Sequence, residues 1–308
     1  MLLTGATGFV GSHLLRRLLA DGTHDVAVLM RGTSVPWRVR DVLDRAGTIR
    51  GELDDLEPAA AAVADFAPDT VVHLAWDGVG NQARNSPAQV GNIPQTVDLV
   101  RLAGRVGAKH WIGLGSQAEY GPCEGPISED NPNRPTTLYG IAKLSVGLLA
   151  ERFCAELGLR FAWLRLFSCY GPMDDPAWMI PYLILKLLRG ERPSLTGGAQ
   201  LWDYIYVADV AEAIRQTALN PSASGVFNLG SGRVETIRNI VEKVRDFVDP
   251  GLPLGFGEIP YRPDQVMHLQ ADIGRLQSAT GWSPGVGLDD GLRRTVKWFR
   301  ENSSRYES

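Results

Sequence analysis

The 308-residue chain predicts an α/β fold, a doubly wound parallel sheet carrying a smaller C-terminal lobe, on three observations. Short β-rich runs alternate with runs of helical period through the first half, and regularly spaced glycines separate the first strand from the first helix. After Tyr170-Gly171-Pro172 the alternation gives way to loops rich in proline and glycine. Strands alternating with helices predict parallel pairing, because each helical crossover returns the chain to the same end of the sheet.

In chain order, strands are expected at residues 1–4, 25–30, 70–74 and 110–115, and helices at 11–20, 56–66 and 92–105. A long helix at 138–157 and a strand at 160–166 follow. The loosened stretch holds one helix near 181–188. Strand-like runs at 203–207 and 225–229, with a helix at 207–219 between them, are expected to return to the main sheet. The last segment mixes loops at 250–263 with an amphipathic helix at 288–299. The expected division is a sheet domain over 1–170, rejoined at about 200–230, and a lobe formed by 171–199 and 231–308.

Composition narrows the classes. Hydrophobic residues make up 44% and charged ones 21%, an ordinary globular mixture that leaves out disordered and fibrous chains. A formal net charge of −4 removes the broad attraction toward nucleic acid or an anionic membrane. Cys123, Cys154 and Cys169 are odd in number and lack metal-ligand spacing, so neither a disulfide framework nor a metal site is expected. The start has no basic leader, and no apolar run reaches the roughly 18 residues of a membrane span, so a soluble, unprocessed cytoplasmic protein is expected.

In Gly5-Ala6-Thr7-Gly8-Phe9-Val10-Gly11 the glycines stand at the mouth of the first helix. Such a turn lets backbone approach a pyrophosphate closely, and the helix N-terminus attracts its charge. The kind of dinucleotide is usually decided about 20 residues on, at the tip of the second strand. Arg31 stands there in place of a carboxylate, which favours a 2′-phosphate and therefore NADP over NAD.

Tyr139-Gly140-Ile141-Ala142-Lys143 puts a phenol and an ammonium one helical turn apart, on one face. A phenol acting as acid or base near neutrality needs its pKa lowered by roughly three units, and an adjacent cation supplies part of that. Ser116 follows the apolar strand that ends Gly113-Leu114-Gly115, at the sheet edge where substrates collect, with a hydroxyl able to bond a reacting oxygen.

These residues resemble the extended short-chain dehydrogenase/reductase family, in its nucleotide-sugar epimerase, dehydratase and reductase branch. The likeness covers nearly the whole chain: residues 4–11, His73-Leu74-Ala75, Asn92, and residues 116–121, 139–143, 164–172, 203–209 and 227–230, then Trp282 with 288–298. It implies a Rossmann domain binding a dinucleotide at Gly5, Thr7, Gly8, Phe9, Val10, Gly11, Arg31, Leu53, Leu74, Ala75, Tyr139 and Lys143. It also implies a catalytic set of Ser116, Tyr139 and Lys143, a nucleoside diphosphate sugar held by the C-terminal lobe, and a homodimer built on a four-helix bundle that includes the Tyr139 helix.

Departures from the family pattern narrow the chemistry. Where the family's 4,6-dehydratases carry an acid pair and its decarboxylases a glutamate, this chain has Gln117 and Ala118. The cysteine and histidine of its 3,5-epimerase/reductases are also missing. Hydride transfer at one carbon remains, by a 4-ketoreductase or a 4-epimerase. Arg31 favours the NADPH-dependent ketoreductase acting on a 4-keto-6-deoxy sugar nucleotide, because net reduction draws on the NADPH pool.

Ser168 stands where many relatives have a sugar-contacting asparagine, and Trp202 where many have arginine. Arg262 matches the family's phosphate-binding arginine, and Arg192 is a second cation for that role. With Ser116 and Gln117 these are the expected substrate contacts. Two other classes stand beside this reading: a catalytically silent dinucleotide-binding sensor, and a reductase of a non-nucleotide carbonyl.

Overall fold

The computed structural model describes residues 1–123, 125–262 and 265–306. Seven strands make the central sheet: β1 (Leu2–Thr4), β2 (Ala27–Met30), β3 (Gly47–Arg50), β4 (Thr70–His73), β5 (His110–Ser116), β6 (Arg160–Leu166) and β7 (Gly225–Leu229). They lie in the order β3-β2-β1-β4-β5-β6-β7, all parallel. The order reverses between β1 and β4, and open α/β sheets bind ligands beyond the carboxyl ends of strands at such a reversal.

The helices are α1 (Phe9–Ala20), α2 (Glu57–Phe66), α3 (Asn92–Arg105), α4 (Leu138–Leu157), α5 (Met179–Leu188), α6 (Val207–Leu219), α7 (Ile237–Val248), α8 (Gly274–Thr280) and α9 (Leu288–Asn302). Successive strand residues point to opposite faces, so a sheet covered on both sides reads as continuous apolar runs. Leu3, Val28, Val72, Ile112 and Leu164 pack with α1 and α6 on one face. Leu2, Ala27, Val71, Trp111 and Trp163 pack with α2, α3 and α4 on the other. A third core joins α5, α7 and α9 around Ile184, Val241, Leu292 and Phe299, with Tyr170 and Tyr206 at its edge.

One expected strand goes elsewhere. The run at 203–207 does not rejoin the main sheet: Tyr204–Tyr206 pairs with Ser168–Tyr170 in a separate two-stranded sheet, and β7 alone returns beside β6. The aromatic residues decide this. The rings of Tyr204 and Tyr206 meet Tyr170 edge to face at 6.0 and 5.7 Å, which draws the segment toward the C-terminal core. β3 was not expected either, because as an edge strand it buries only Ile49 and lacks an apolar pattern.

Short pieces then tie the lobe to the sheet. Glu235–Thr236, Leu201–Trp202, His268–Ala271 and Pro126–Ile127 pair in that order. The buried Asp203 carboxylate accepts the backbone N–H groups of Ser231, Gly232 and Ala271 at 2.8, 3.0 and 3.1 Å, fastening three segments at one point.

Candidate functional site

The glycine turn lies at the sheet reversal. Gly5 has φ +73°, and a Cβ there would lie 2.5 Å from the Ala75 nitrogen; one on Gly11 would lie 2.1 Å from the Gly5 oxygen. Turn, helix and the segment after β4 are thus in backbone contact, which only glycine allows. No side chain caps α1 at Gly8, so its first N–H groups face the turn with the positive end of the helix dipole behind them. Thr7, Phe9 and Val10 are half-buried along this turn.

Behind the turn a hydrogen-bonded chain fixes the ends of β1 and β4. Thr96 donates to the Asn92 carbonyl, so it accepts from His73 Nε2 at 3.1 Å, which leaves Nδ1 to accept from Thr4 Oγ1 at 2.8 Å. Burial and the Lys143 charge push the His73 pKa down to about 3, so the imidazole is neutral. Ala75 N–H completes the chain on Thr4 Oγ1. Leu74 and Ala75, half-buried, are therefore held against Gly5, and Leu53 packs on the core at the end of β3.

At the tip of β2, Arg31 is exposed and its carbonyl accepts from Arg50. A carboxylate shares this tip, because Glu52 Oε1 accepts the Gly32 N–H at 3.3 Å. Glu52 has no local signal in the sequence, because the fold alone brings it from beyond β3 to this tip.

Ser116, Tyr139 and Lys143 converge where β5 ends. Thr137 caps α4 by accepting the Gly140 N–H, and the buried stripe Tyr139, Lys143, Val146, Ala150 and Cys154 follows at helical spacing. Gly140 brings the first turn of α4 down onto the Ser116 loop, since a Cβ there would meet the Ala118 oxygen at 2.4 Å. The Ser116 hydroxyl accepts the Ala118 N–H beside the Tyr139 phenol. Burial holds the phenol above its ordinary pKa, against the pull of Ser116 and of the Arg84 charge; Glu119 pushes it further up.

Lys143 is buried, and its Nζ donates to the Leu114 carbonyl at 2.7 Å and sits 3.7 Å over the Trp76 ring. Burial lowers its pKa to about 7, with the Glu119 charge acting the other way. Trp76 in turn meets the Tyr139 ring edge to face at 6.1 Å, and its indole N–H donates to Gln89.

Beneath Ser116 lies an ion pair that the sequence reading missed. Glu119 accepts the Ser116 backbone N–H at 2.8 Å, both oxygens take the Trp163 indole N–H at 3.0 and 3.1 Å, and Arg165 Nε bonds it at 2.7 Å. Burial raises the carboxyl above the usual range, while Arg165 and these donors pull it down. The indole of Trp163 fills a slot lined by Gly113, Gly115 and Gly147; a Cβ on any of them would come within 2.4, 2.3 or 3.0 Å of it. The signal was present, because Ser116-x-x-Glu119 is a capping-box spacing, and the box is formed.

The expected substrate residues divide. Gln117 lies in the turn after Ser116, and Ser168 and Trp202 come together, the indole N–H donating to the Ser168 hydroxyl at 2.7 Å. Arg192 is not brought to them: it pairs with Glu258 beside the small sheet of Ser194–Leu195 and Gly255–Phe256. Arg262 is exposed, next to two residues outside the described set.

Comparison with known proteins agrees with this geometry. The model of the NAD dependent epimerase/dehydratase family matches residues 1–230. Over 320 residues, 100% of this chain and 96% of the relative, the chain is 29% identical to a dTDP-glucose 4,6-dehydratase of Streptomyces griseus. Its structure resembles that of a UDP-glucose 4-epimerase of Thermotoga maritima with UDP-glucose, with a TM-score of 0.85 and 28% identity over 98% of this chain and 99% of the other. It also resembles MoeE5 in complex with UDP-glucose and NAD, with a TM-score of 0.82 and 31% identity over 98% and 99%.

Proposed function

Since the chain belongs to the NAD dependent epimerase/dehydratase family, we propose that it is a nucleotide-sugar 4-epimerase with a retained nicotinamide dinucleotide. The observation that carries this reading is the convergence of Ser116, Tyr139 and Lys143 with Gln117 and Ala118 where a second acid would stand. One proton-transferring group and no second acid suit oxidation and reduction at a single carbon.

The residues present fit such a dinucleotide, since Gly5 and Gly11 let the turn, α1 and the segment after β4 come into backbone contact that a Cβ would block, and α1 opens without a side-chain cap. Gly5, Thr7, Gly8, Phe9, Val10 and Gly11 would hold its pyrophosphate, Leu53, Leu74 and Ala75 would line its remainder, and Lys143 would hold ribose. When bound, the dinucleotide takes and returns the hydride. Tyr139 moves the proton at its Oη, Ser116 orients the reacting oxygen through its hydroxyl, and Lys143 places positive charge beside the phenol. Ser168 and Trp202 offer polar and stacking contacts to the sugar nucleotide.

Glu52 supports NAD, because a carboxylate at the β2 tip accepts from ribose hydroxyls and repels a 2′-phosphate. Arg31 at the same tip favours a second reading, the NADPH-dependent 4-ketoreductase of a 4-keto-6-deoxy sugar nucleotide. The two part in one assay with UDP- and dTDP-hexoses and their 4-keto derivatives. Interconversion of C4 epimers without net change in nicotinamide absorbance supports the epimerase. Stoichiometric loss of NADPH with a 4-keto sugar supports the reductase, and neither outcome would leave the silent binder.

Gly11→Ala tests the cradle. Its methyl would collide with the Gly5 carbonyl, so the dinucleotide Kd is expected to rise by about tenfold or more, about 1.4 kcal/mol, read by titration calorimetry. We also propose a homodimer through α4, which exposes Ile141, Leu148, Leu149 and Leu157. Leu148→Glu is then expected to convert a dimer to monomer in sedimentation; an unchanged mass would remove this face from the interface.

A further inference from the structure

The cation that acts on Tyr139 from outside its own helix is Arg84, in the loop between β4 and α3. Its guanidinium carbon lies 5.5 Å from the centroid of the Tyr139 ring. The main chain holds it there: the Arg84 carbonyl accepts the Tyr139 N–H at 2.9 Å, and Asn85 Oδ1 accepts the Leu138 N–H at 3.1 Å. Gln89 braces the loop from behind, donating to the carbonyls of Gly78 and Ala83. Arg84 Nε is sealed from solvent without a hydrogen-bond partner. A buried, unpaired N–H is unfavourable, so the ring face is the compensating contact that this end of the side chain makes.

Lys143 is less well aimed at the ring. Its Nζ is 6.0 Å from the Tyr139 centroid and bonds the Leu114 carbonyl beneath Trp76. The polar and charged groups around the phenol are Ser116 at the end of β5, Glu119 in the turn that follows it, Lys143 from α4 and Arg84 from the loop. Glu119 opposes the phenolate and is itself paired with Arg165.

We propose that Arg84 is a positioning residue for the proton step, stabilising the Tyr139 phenolate through the ring face while fastening the loop to the first turn of α4. As Tyr139 Oη gives its proton to the substrate oxygen, the phenolate charge forms beside a cation that already faces it. A neutral side chain at this place leaves the phenolate with Ser116 and Lys143 alone. This inference rests on Tyr139 carrying the proton in the proposed reaction, but its test does not depend on turnover.

The test follows the Tyr139 phenol by NMR of Cζ-labelled tyrosine over an alkaline titration, with Tyr139→Phe identifying its resonance. Arg84→Met and Arg84→Gln are each expected to raise its titration midpoint by about one unit, and Arg84→Lys to restore part of that shift. In turnover, the first half-reaction of the epimerase needs the phenolate, so the same two variants are expected to move the acidic limb of the kcat profile upward with little change in KM. If the midpoint stays in place in both neutral variants, or if only KM rises, the inference is overturned and Arg84 is a loop or substrate-binding residue. If no nucleotide sugar is turned over, the proposed reaction fails while the phenol titration still decides the role of Arg84.

Discussion

Tyr139→Phe is expected to lower turnover about a thousandfold and to leave folding and dinucleotide binding intact. The change removes one oxygen from a ring whose packing does not depend on it: Trp76 meets the ring edge, and Arg84 lies over its face. The neighbouring Ser116 hydroxyl keeps the Ala118 N–H whether or not the phenol oxygen is there. What is lost is the proton path. Thermal stabilisation by added dinucleotide should be retained, since it follows RT ln(1 + [L]/Kd) and the glycine cradle is untouched. A variant that kept more than a tenth of wild-type kcat would sink the assignment, because general acid–base catalysis contributes about 10²–10⁴.

Removing Arg165 has the largest effect expected on stability. In the Glu119–Arg165 pair the side chains are 0% and 6% exposed, so neither is screened by water. Arg165→Met leaves a buried carboxylate with only the Ser116 and Trp163 N–H groups, and breaking a buried pair from one side costs about 3–5 kcal/mol. Natural domains have about 5–15 kcal/mol in all, so the variant should unfold at much lower denaturant. Glu119→Leu combined with Arg165→Met should lose clearly less than the sum of the two single changes, because no buried charge is then left unpaired. A single-variant cost under about 1 kcal/mol would place the pair with ordinary surface bridges.

How much of this was legible varies by element. Asn92–Arg105, Leu138–Leu157, Val207–Leu219, Arg160–Leu166 and Gly225–Leu229 appear at the expected bounds. They carry strong periodicity or buried β-rich runs, with a threonine cap before α4 and a left-handed Gly158 after it. The run at 203–207 was legible as a strand but not as to its sheet, since that choice depends on Tyr170 rings far away in sequence.

The Ser116, Tyr139 and Lys143 set could be named because the strand end and the one-turn spacing are local. Arg84 could not be: a loop arginine is solvated by default, and its contact with Tyr139 is made only by the fold. Glu119 is hidden differently: the Ser116-x-x-Glu119 spacing signals only a cap, while the partners Trp163 and Arg165 that bury it come from a distant strand. The pairing of Arg192 with Glu258 is long-range and has no local signal.

The Trp163 slot constrains how this protein can change over generations. Gly113 and Gly115 are each incompatible with a side chain while the indole is present, whereas a Cβ on Gly147 would only press against it at 3.0 Å, and the indole is also a donor to Glu119. Shrinking Trp163 removes a hydrogen bond beneath Ser116 and still leaves Trp111 in the way of a Gly113 side chain and the Glu119 carboxylate in the way of a Gly115 one. These two glycines are therefore held by two neighbours each, and a single compensating change frees neither. A drift experiment should see Gly147 accept a side chain well before Gly113 or Gly115 does.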